Sequence, residues 1–264
     1  MSKAASKNSE EADSLSAIAR AGFIKDVIEQ MNPIVSEGVF TIGREGLHVS
    51  VIDPANVAQL HIDLEAEAFE SVGDGQFPIG LNINRLSDYL KRTSSNDLVE
   101  FAYLPERRML RVQHVNREFE MAAIDPDAIR RSPGDIDLDL PASFALSVEQ
   151  FRSAAKDADL VSDHVIIESD PDAEEIRVSA KGDTDSFEES FSNEEVEDAV
   201  IPSVERSLFS TDYLVGDDGL LNPMPKDAIL EFELGTDFPL VVAYDFDDGH
   251  GRVEFGLAPR IPSE

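Results

Sequence analysis

Residues 124–139 read Ile-Asp-Pro-Asp-Ala-Ile-Arg-Arg-Ser-Pro-Gly-Asp-Ile-Asp-Leu-Asp, close to the middle of a chain of 264 residues. Two prolines, a glycine and five aspartates leave no long apolar period, so the stretch reads as an extended linker. On each side lies a segment of similar length with the same order of elements: a helical period, β-like runs, a second short helix and a meander. That repeated order predicts two similar domains, 14–123 and 140–264, joined by 124–139. Ile124 and Ile129 interrupt the linker's polarity. They either pin it onto a neighbouring sheet or make it one wall of a groove for a partner.

Upstream, residues 17–31 place Phe23, Ile24, Val27, Ile28 and Met31 at helical spacing, and Pro33 ends the period. Residues 39–42, 47–52 and 57–63 alternate apolar and polar side chains with the strand period of two. A short strand at 79–83 leads to a short helix at 84–92, and strands at 99–104, 109–115 and 118–124 close this half. Downstream, 147–160 predicts a helix opened by the capping box Ser147-x-x-Gln150. Strands follow at 164–168, 176–180, 185–192 and 197–202, then a weak helix at 211–214 and strands at 229–234, 240–245 and 252–257. The fold class is α+β.

Fifty-four acidic residues stand against 22 basic ones, of which only 7 are lysine, for a net charge of −32. Yet the chain is 42% hydrophobic with clear periods, so it folds. Residues 1–13 are polar and predicted to be a disordered tail. A folded monomer of this size exposes roughly 11,000 Å², which spaces its carboxylates on the order of 14 Å apart. That distance exceeds the ~10 Å Debye length at 0.1 M salt and far exceeds ~3 Å at 1 M. Summed over the excess charge, repulsion matters at low salt and nearly vanishes at molar salt, which points to a salt-rich cytoplasm. The composition also admits an acidic interaction scaffold or nucleic-acid mimic, although the acids are spread along the whole chain. No run approaches about 18 apolar residues and no signal peptide opens the chain, so no membrane association is expected.

Several chemistries find no support. With no cysteine there are no disulfides, thiol nucleophiles or thiolate metal sites. His48, His61, His114, His164 and His250 lack metal-ligand spacing. Asp135-x-Asp137-x-Asp139 lacks the glycine a calcium loop needs, and Asp245-x-Asp247-Asp248-Gly249 falls where a hairpin turn belongs. Gly73-Asp74-Gly75 does not follow a strand and open a helix, and no Gly-x-Ser-x-Gly occurs. No metal, cofactor or catalytic residue is expected.

Three segments carry a family resemblance. Residues 46–57, Gly-Leu-His-Val-Ser-Val-Ile-Asp-Pro-Ala-Asn-Val, resemble the strand and Asp-x-x-x-Val turn of sliding clamps of the proliferating cell nuclear antigen type. Residues 80–91, Gly-Leu-Asn-Ile-Asn-Arg-Leu-Ser-Asp-Tyr-Leu-Lys, are similar to that family's second helix. Asp-Phe-Pro-Leu-Val-Val at 237–242 and Leu-Ala-Pro-Arg-Ile at 257–261 are similar to its C-terminal strand pair. Together they span the chain from about Ser14 onward, and the salt signature matches halophilic archaeal members.

The resemblance implies a clamp fold closing as a homotrimer with pseudo-six-fold symmetry around double-stranded DNA, a processivity factor and not an enzyme. Residues 117–123 of one chain would add as a strand to 185–192 of the next. Partners implied are DNA polymerase, the clamp loader replication factor C, flap endonuclease and DNA ligase, bound through short peptides. Carried over by position, their pocket uses Val57, Ile129, Pro239, Ala258, Pro259, Arg260 and Ile261, with Asn56 and Gln59 at its edge. Gln59 stands where the family has an apolar residue, and Gly256 where it has an aromatic one. The DNA-facing cations would be Arg20, Lys25, Arg85, Lys91, Arg92, Arg152 and Lys156. The fourth helix departs from the family by offering Asp212, Asp217 and Asp218 instead.

Neutralising six phosphates gives a log–log salt slope of about −5, so moving from 0.1 to 2 M salt costs an open electrostatic binder roughly seven decades of affinity. A closed ring held by topology escapes that loss. Lowering KCl from about 2 M to about 0.1 M is expected to lower the thermal midpoint, followed by circular dichroism, as the screening length grows. A midpoint independent of salt would mean that the charges do not repel measurably.

Overall fold

The computed structural model describes residues 15–134, 136, 138–246 and 249–261. The expected tail at 1–13 lies outside these, as do Asp135, Asp137, Asp247 and Asp248 of the two aspartate-rich motifs. By contact the chain forms two compact units. The first takes Met1–Val51, His61–Pro133 and Phe246–Arg252, and the second takes Ile52–Leu60, Gly134–Asp245 and Val253–Glu264. The short segment 52–60 thus belongs with the C-terminal half.

In the first unit β1 (Leu15–Arg20) runs into α1 (Ala21–Met31), followed by β2 (Glu37–Gly43) and β3 (Gly46–Ile52). Strand β4 (Ala58–Glu65) contributes to both units. Then come β5 (Ser71–Val72), β6 (Phe77–Asn82), α2 (Ile83–Leu90), β7 (Leu98–Leu104), β8 (Met109–His114) and β9 (Arg117–Ala122). An antiparallel sheet has the order β5-β1-β7-β8-β9, and β2 pairs with β3 and β6. Helix α1 buries Phe23, Ile24, Val27, Ile28 and Met31, the face its apolar spacing predicts. The Asn82 side chain caps α2 by accepting the Arg85 amide at 2.9 Å.

The helix predicted to begin at residue 17 begins at Ala21. Residues 15–20 are a strand instead, because Ala17 and Ala19 alternate inward and pair with Phe101 and Val99 of β7. Their small side chains resemble a helical run in sequence, but the pairing with β7 decides the conformation.

The second unit repeats the order: β10 (Ala142–Ser147), α3 (Val148–Asp159), β11 (His164–Asp170), β12 (Glu175–Lys181), β13 (Ser186–Ser192), β14 (Glu197–Val200) and β15 (Glu205–Ser210). Helix α4 (Thr211–Val215) and β16 (Ile229–Leu234), β17 (Leu240–Phe246) and β18 (Gly251–Leu257) complete it. One sheet has the order β13-β12-β11-β15, and β10 lies between β14 and β16. The capping box is present, with Ser147 Oγ accepting the Gln150 amide at 3.2 Å and Gln150 accepting the Ser147 amide at 3.1 Å. Phe151 of α3 packs edge-on against Phe232 at 4.7 Å, and Phe232 stacks on Phe144 at 4.8 Å. Such aromatic pairs contribute about 0.5–1.5 kcal/mol each beyond their buried area. The strand predicted at 197–202 stops at Val200, and β15 was not expected from sequence.

The linker begins on the back of β6. The Ile124 amide donates to the Gly80 carbonyl at 2.8 Å, and Ile129 is 6% exposed. Gly80 is needed there, since a Cβ would stand 2.5 Å from Ile124 O and 2.8 Å from Ile129 Cδ1. Gly80→Val is therefore expected to destabilise the fold by about 1–3 kcal/mol through overpacking. Denaturant titration measures it, and an unchanged midpoint would mean that the linker lifts off β6 without cost.

Candidate functional site

Placing 52–60 in the second unit brings the Asp53 turn beside the C-terminal strands. Asp53 is 5% exposed, and its carboxylate is saturated. Oδ1 accepts the Val57 amide at 2.6 Å and the Ala58 amide at 2.9 Å. Oδ2 accepts the Ala55 amide at 3.1 Å and the Tyr213 hydroxyl at 2.9 Å. The turn needs a positive φ at Asn56, 59°, which asparagine tolerates better than most residues. Burial alone would raise the Asp53 pKa. The Ala58 and Val57 amides, the Tyr213 hydroxyl and the Ala55 amide outweigh it and hold the group below the ordinary aspartate value.

Against this turn lies a cavity of about 250 Å³. Ile52, Asn56, Val57, Ala58 and Gln59 line one side, and Pro239, Gly256 and Ala258 another. The linker supplies Ile136 and Leu138. Among the described residues the lining is aliphatic, with polar groups from Asn56 and Gln59 and no charged side chain. Gln59 Nε2 donates to the Gly134 carbonyl, tying the linker to β4. The Ala258 amide donates to the Val57 carbonyl at 2.8 Å, joining two walls. Pro239 follows a turn held from β15: Glu205 Oε2 accepts the Thr236 amide at 2.8 Å, and Ser207 Oγ accepts the Asp237 amide at 2.8 Å. Hydrogen bonds from Ser203 and Thr236 keep the Glu205 pKa low although the group is 9% exposed.

Of the residues expected in a pocket, Asn56, Val57, Gln59, Pro239 and Ala258 come together here. Ile129 does not line this cavity, because its side chain is buried against Gly80. Pro259, Arg260 and Ile261 continue past it: the Arg260 amide donates to Leu208 O at 2.7 Å, and Ile261 is 78% exposed. Sequence reasoning missed Ile136 and Leu138, although their alternation with aspartates was a visible strand-like signal. Gly256 is matched by Ile136, whose Cδ1 lies 2.9 Å from where a Cβ would stand.

The candidate cations divide into two groups. Lys25 Nζ donates to the Thr93 carbonyl at 2.7 Å. Arg152 donates to the carbonyls of Leu221 and Met224, and burial lowers its pKa. Both bind the backbone of their own unit. Arg85, Arg92 and Lys156 are exposed, Arg20 lies 3.6 Å from Glu70, and Lys91 is 2.9 Å from Asp88. Asp212, Asp217 and Asp218 are exposed in and after α4. Among the described residues no group of three histidine, aspartate or glutamate side chains is arranged to hold a metal.

Comparison with known proteins accounts for this arrangement. Residues 16–124 match the family model for the N-terminal domain of proliferating cell nuclear antigen. The chain is 38% identical over 248 residues to the DNA polymerase sliding clamp of Natronomonas pharaonis, covering 94% of this chain and 99% of that one. Identity to the sliding clamp of Haloarcula marismortui is 36% over 248 residues, with 94% and 99% covered. Among solved structures, that of the C-terminal region of FEN-1 bound to A. fulgidus PCNA matches with a TM-score of 0.85 and 34% identity, covering 95% of this chain and all of that chain. The fold is that of a DNA clamp. The chain belongs to the proliferating cell nuclear antigen family and is a DNA polymerase sliding clamp.

Asp53→Asn replaces an acceptor of four hydrogen bonds by a group that can satisfy only some of them. At pH 7 it is expected to cost roughly 1–3 kcal/mol in denaturant titration. The Asp53 pKa is depressed on folding, so its stabilisation is complete above the ordinary value of 3.8 and is lost as pH falls through the lower folded value. The gap between the two proteins should therefore close in acid, and a gap independent of pH would show that the ionised form is not what the turn requires.

Proposed function

We propose that three copies of this chain close head to tail into a ring around duplex DNA and tether replication and repair enzymes by short peptides. The domains of that ring would be 14–123 and 140–264, with 124–139 as the linker between them. It acts without catalysis of its own, in a high-salt cytoplasm at the nucleoid. The observation that carries the peptide reading is the cavity between Val57, Pro239 and Ala258 in a chain so similar to a clamp solved with the C-terminal region of FEN-1. Flap endonuclease is the partner this supports best. DNA polymerase, DNA ligase and the loader replication factor C follow from the family.

Two edge strands support the ring. β9 ends the sheet β5-β1-β7-β8-β9, and β13 ends β13-β12-β11-β15, so each presents unpaired backbone groups that a second copy could complete. The two edges differ in composition. Beside β9, a cavity of about 720 Å³ is lined by Arg85, Arg92 and Arg117 together with Asp88 and Glu118, with Tyr89 stacked on Phe119 at 4.9 Å. On β13, Glu188 stands next to Glu189, whose pKa is raised by burial and then by Asp157 and Glu195. A cation facing that cluster would relieve its repulsion. Unlike edges give a heterologous contact, which differs from that of a two-fold dimer and makes a ring where the rotation between copies closes.

DNA contact rests on the few exposed cations, Arg85, Arg92, Lys156 and, through weaker pairs, Arg20 and Lys91. So few charges do not hold duplex DNA at molar salt by attraction, and encirclement accounts for retention. In about 2 M KCl, light scattering is expected to give the mass of three chains of 29.0 kDa. The loaded protein should stay on closed circular DNA and slide off once the circle is cut. A single-chain mass, or equal loss from both DNA forms, would put the acidic scaffold reading first.

A further inference from the structure

The turn at 53–58 is held by four hydrogen bonds to one carboxylate, and they are not equivalent. Three come from the turn's own amides, Ala55, Val57 and Ala58, and fix its shape. The fourth comes from Tyr213, 160 residues away in sequence, and fixes its place. Tyr213 does not line the cavity; it approaches the turn from α4.

Its mount is rigid. Thr211, fully buried, donates from Oγ1 to Asp159 Oδ1 at 2.6 Å and from its amide to Asp163 O at 3.1 Å, anchoring α4 on α3. Leu214 is likewise fully buried, and the Tyr213 carbonyl accepts the Leu220 amide at 2.8 Å. On the other side of the bond, the turn carries Asn56, Val57 and Ala58 of the pocket wall, and Val57 O takes the Ala258 amide. One hydroxyl therefore connects a fixed helix to two walls of the cavity.

We infer that Tyr213 is a positioning residue of the peptide pocket, holding the 53–58 wall in place through Asp53 without touching the bound peptide. The inference rests on the peptide reading above and deepens it. The physical basis is the strength of a hydrogen bond to a buried carboxylate, made here across 160 residues of sequence. Lining residues decide which anchor side chain fits. Tyr213 decides whether the wall stands where that anchor needs it.

The test uses the full chain in about 2 M KCl and a fluorescein-labelled peptide of the C-terminal region of A. fulgidus FEN-1, read by anisotropy. Tyr213→Phe removes one oxygen and is expected to weaken the peptide about five- to tenfold, a change on the order of 1–1.4 kcal/mol. In an Asp53→Ala background the same substitution should add almost nothing, since the hydroxyl then has no partner. Hydrogen exchange gives an independent reading: the Val57 and Ala58 amides should exchange faster in Tyr213→Phe, with β16 unchanged. Wild-type affinity in Tyr213→Phe, or a loss that adds fully to that of Asp53→Ala, would overturn the inference. Equal exchange at Val57 and Ala58 would do the same without any peptide. If the wild type fails to bind while those amides still respond, the peptide reading fails and the brace stands.

Discussion

A carboxylate taken almost wholly out of water is costly unless donors surround it, and Asp53 has four. Everything at the candidate site depends on that group. It closes the turn after β3, allows Asn56 its positive φ, and gives α4 a point of attachment. The same segment is where contact departs from chain order, because 52–60 packs with the C-terminal strands. Without that exchange the residues that line the cavity would come from different units. The clamp fold thus builds one pocket from the start, the middle and the end of the chain, and a single buried ion holds the part that is most remote in sequence.

The net charge of −32 sets a second constraint, and the fold answers it by its use of cations. Lys25 and Arg152, which the resemblance places on the DNA side, bond to backbone carbonyls of loops that the helices must hold. Elsewhere arginine is used in networks: Arg177 reaches Glu168, Asp170 and Glu175, and Arg107 and Arg111 share Glu120. These part-buried networks set arginines among carboxylates and so relieve local repulsion. Few cations remain for phosphate. A protein in molar salt gains little from long-range attraction in any case, which leaves geometry as the means of staying on DNA.

Much of the architecture was legible because it rests on periodicity. The apolar faces of α1 and α3, the capping box at Ser147, and the alternation in β2, β3 and β16 all follow from packing against one core. The losses have physical reasons. β1 is a strand of small residues that conforms to β7, and no local signal records a partner some 80 residues on. β15 was hidden because two of its inward positions, Glu205 and Ser207, are polar residues buried by hydrogen bonds to the Thr236 turn, which leaves Phe209 as the lone apolar signal of that period. In the candidate site, the turn and the C-terminal strand were readable from the family's motifs. The linker's share was not, because those motifs point to Ile129, and here Ile129 packs on Gly80.

That packing gives Gly256 and Gln59 a shared setting. An aromatic side chain at 256 would fill the floor of the pocket; glycine leaves the space open, and Ile136 enters it from the linker. The polar Gln59 then has a use that an apolar residue would lack, because its amide holds the linker at Gly134, two residues before Ile136. Gly256 and Gln59 thus act together, since one leaves room for Ile136 and the other holds the linker that carries it. The cavity is therefore bounded on one side by the turn that Asp53 and Tyr213 hold, and on the other by Ile136 and Leu138 of the linker.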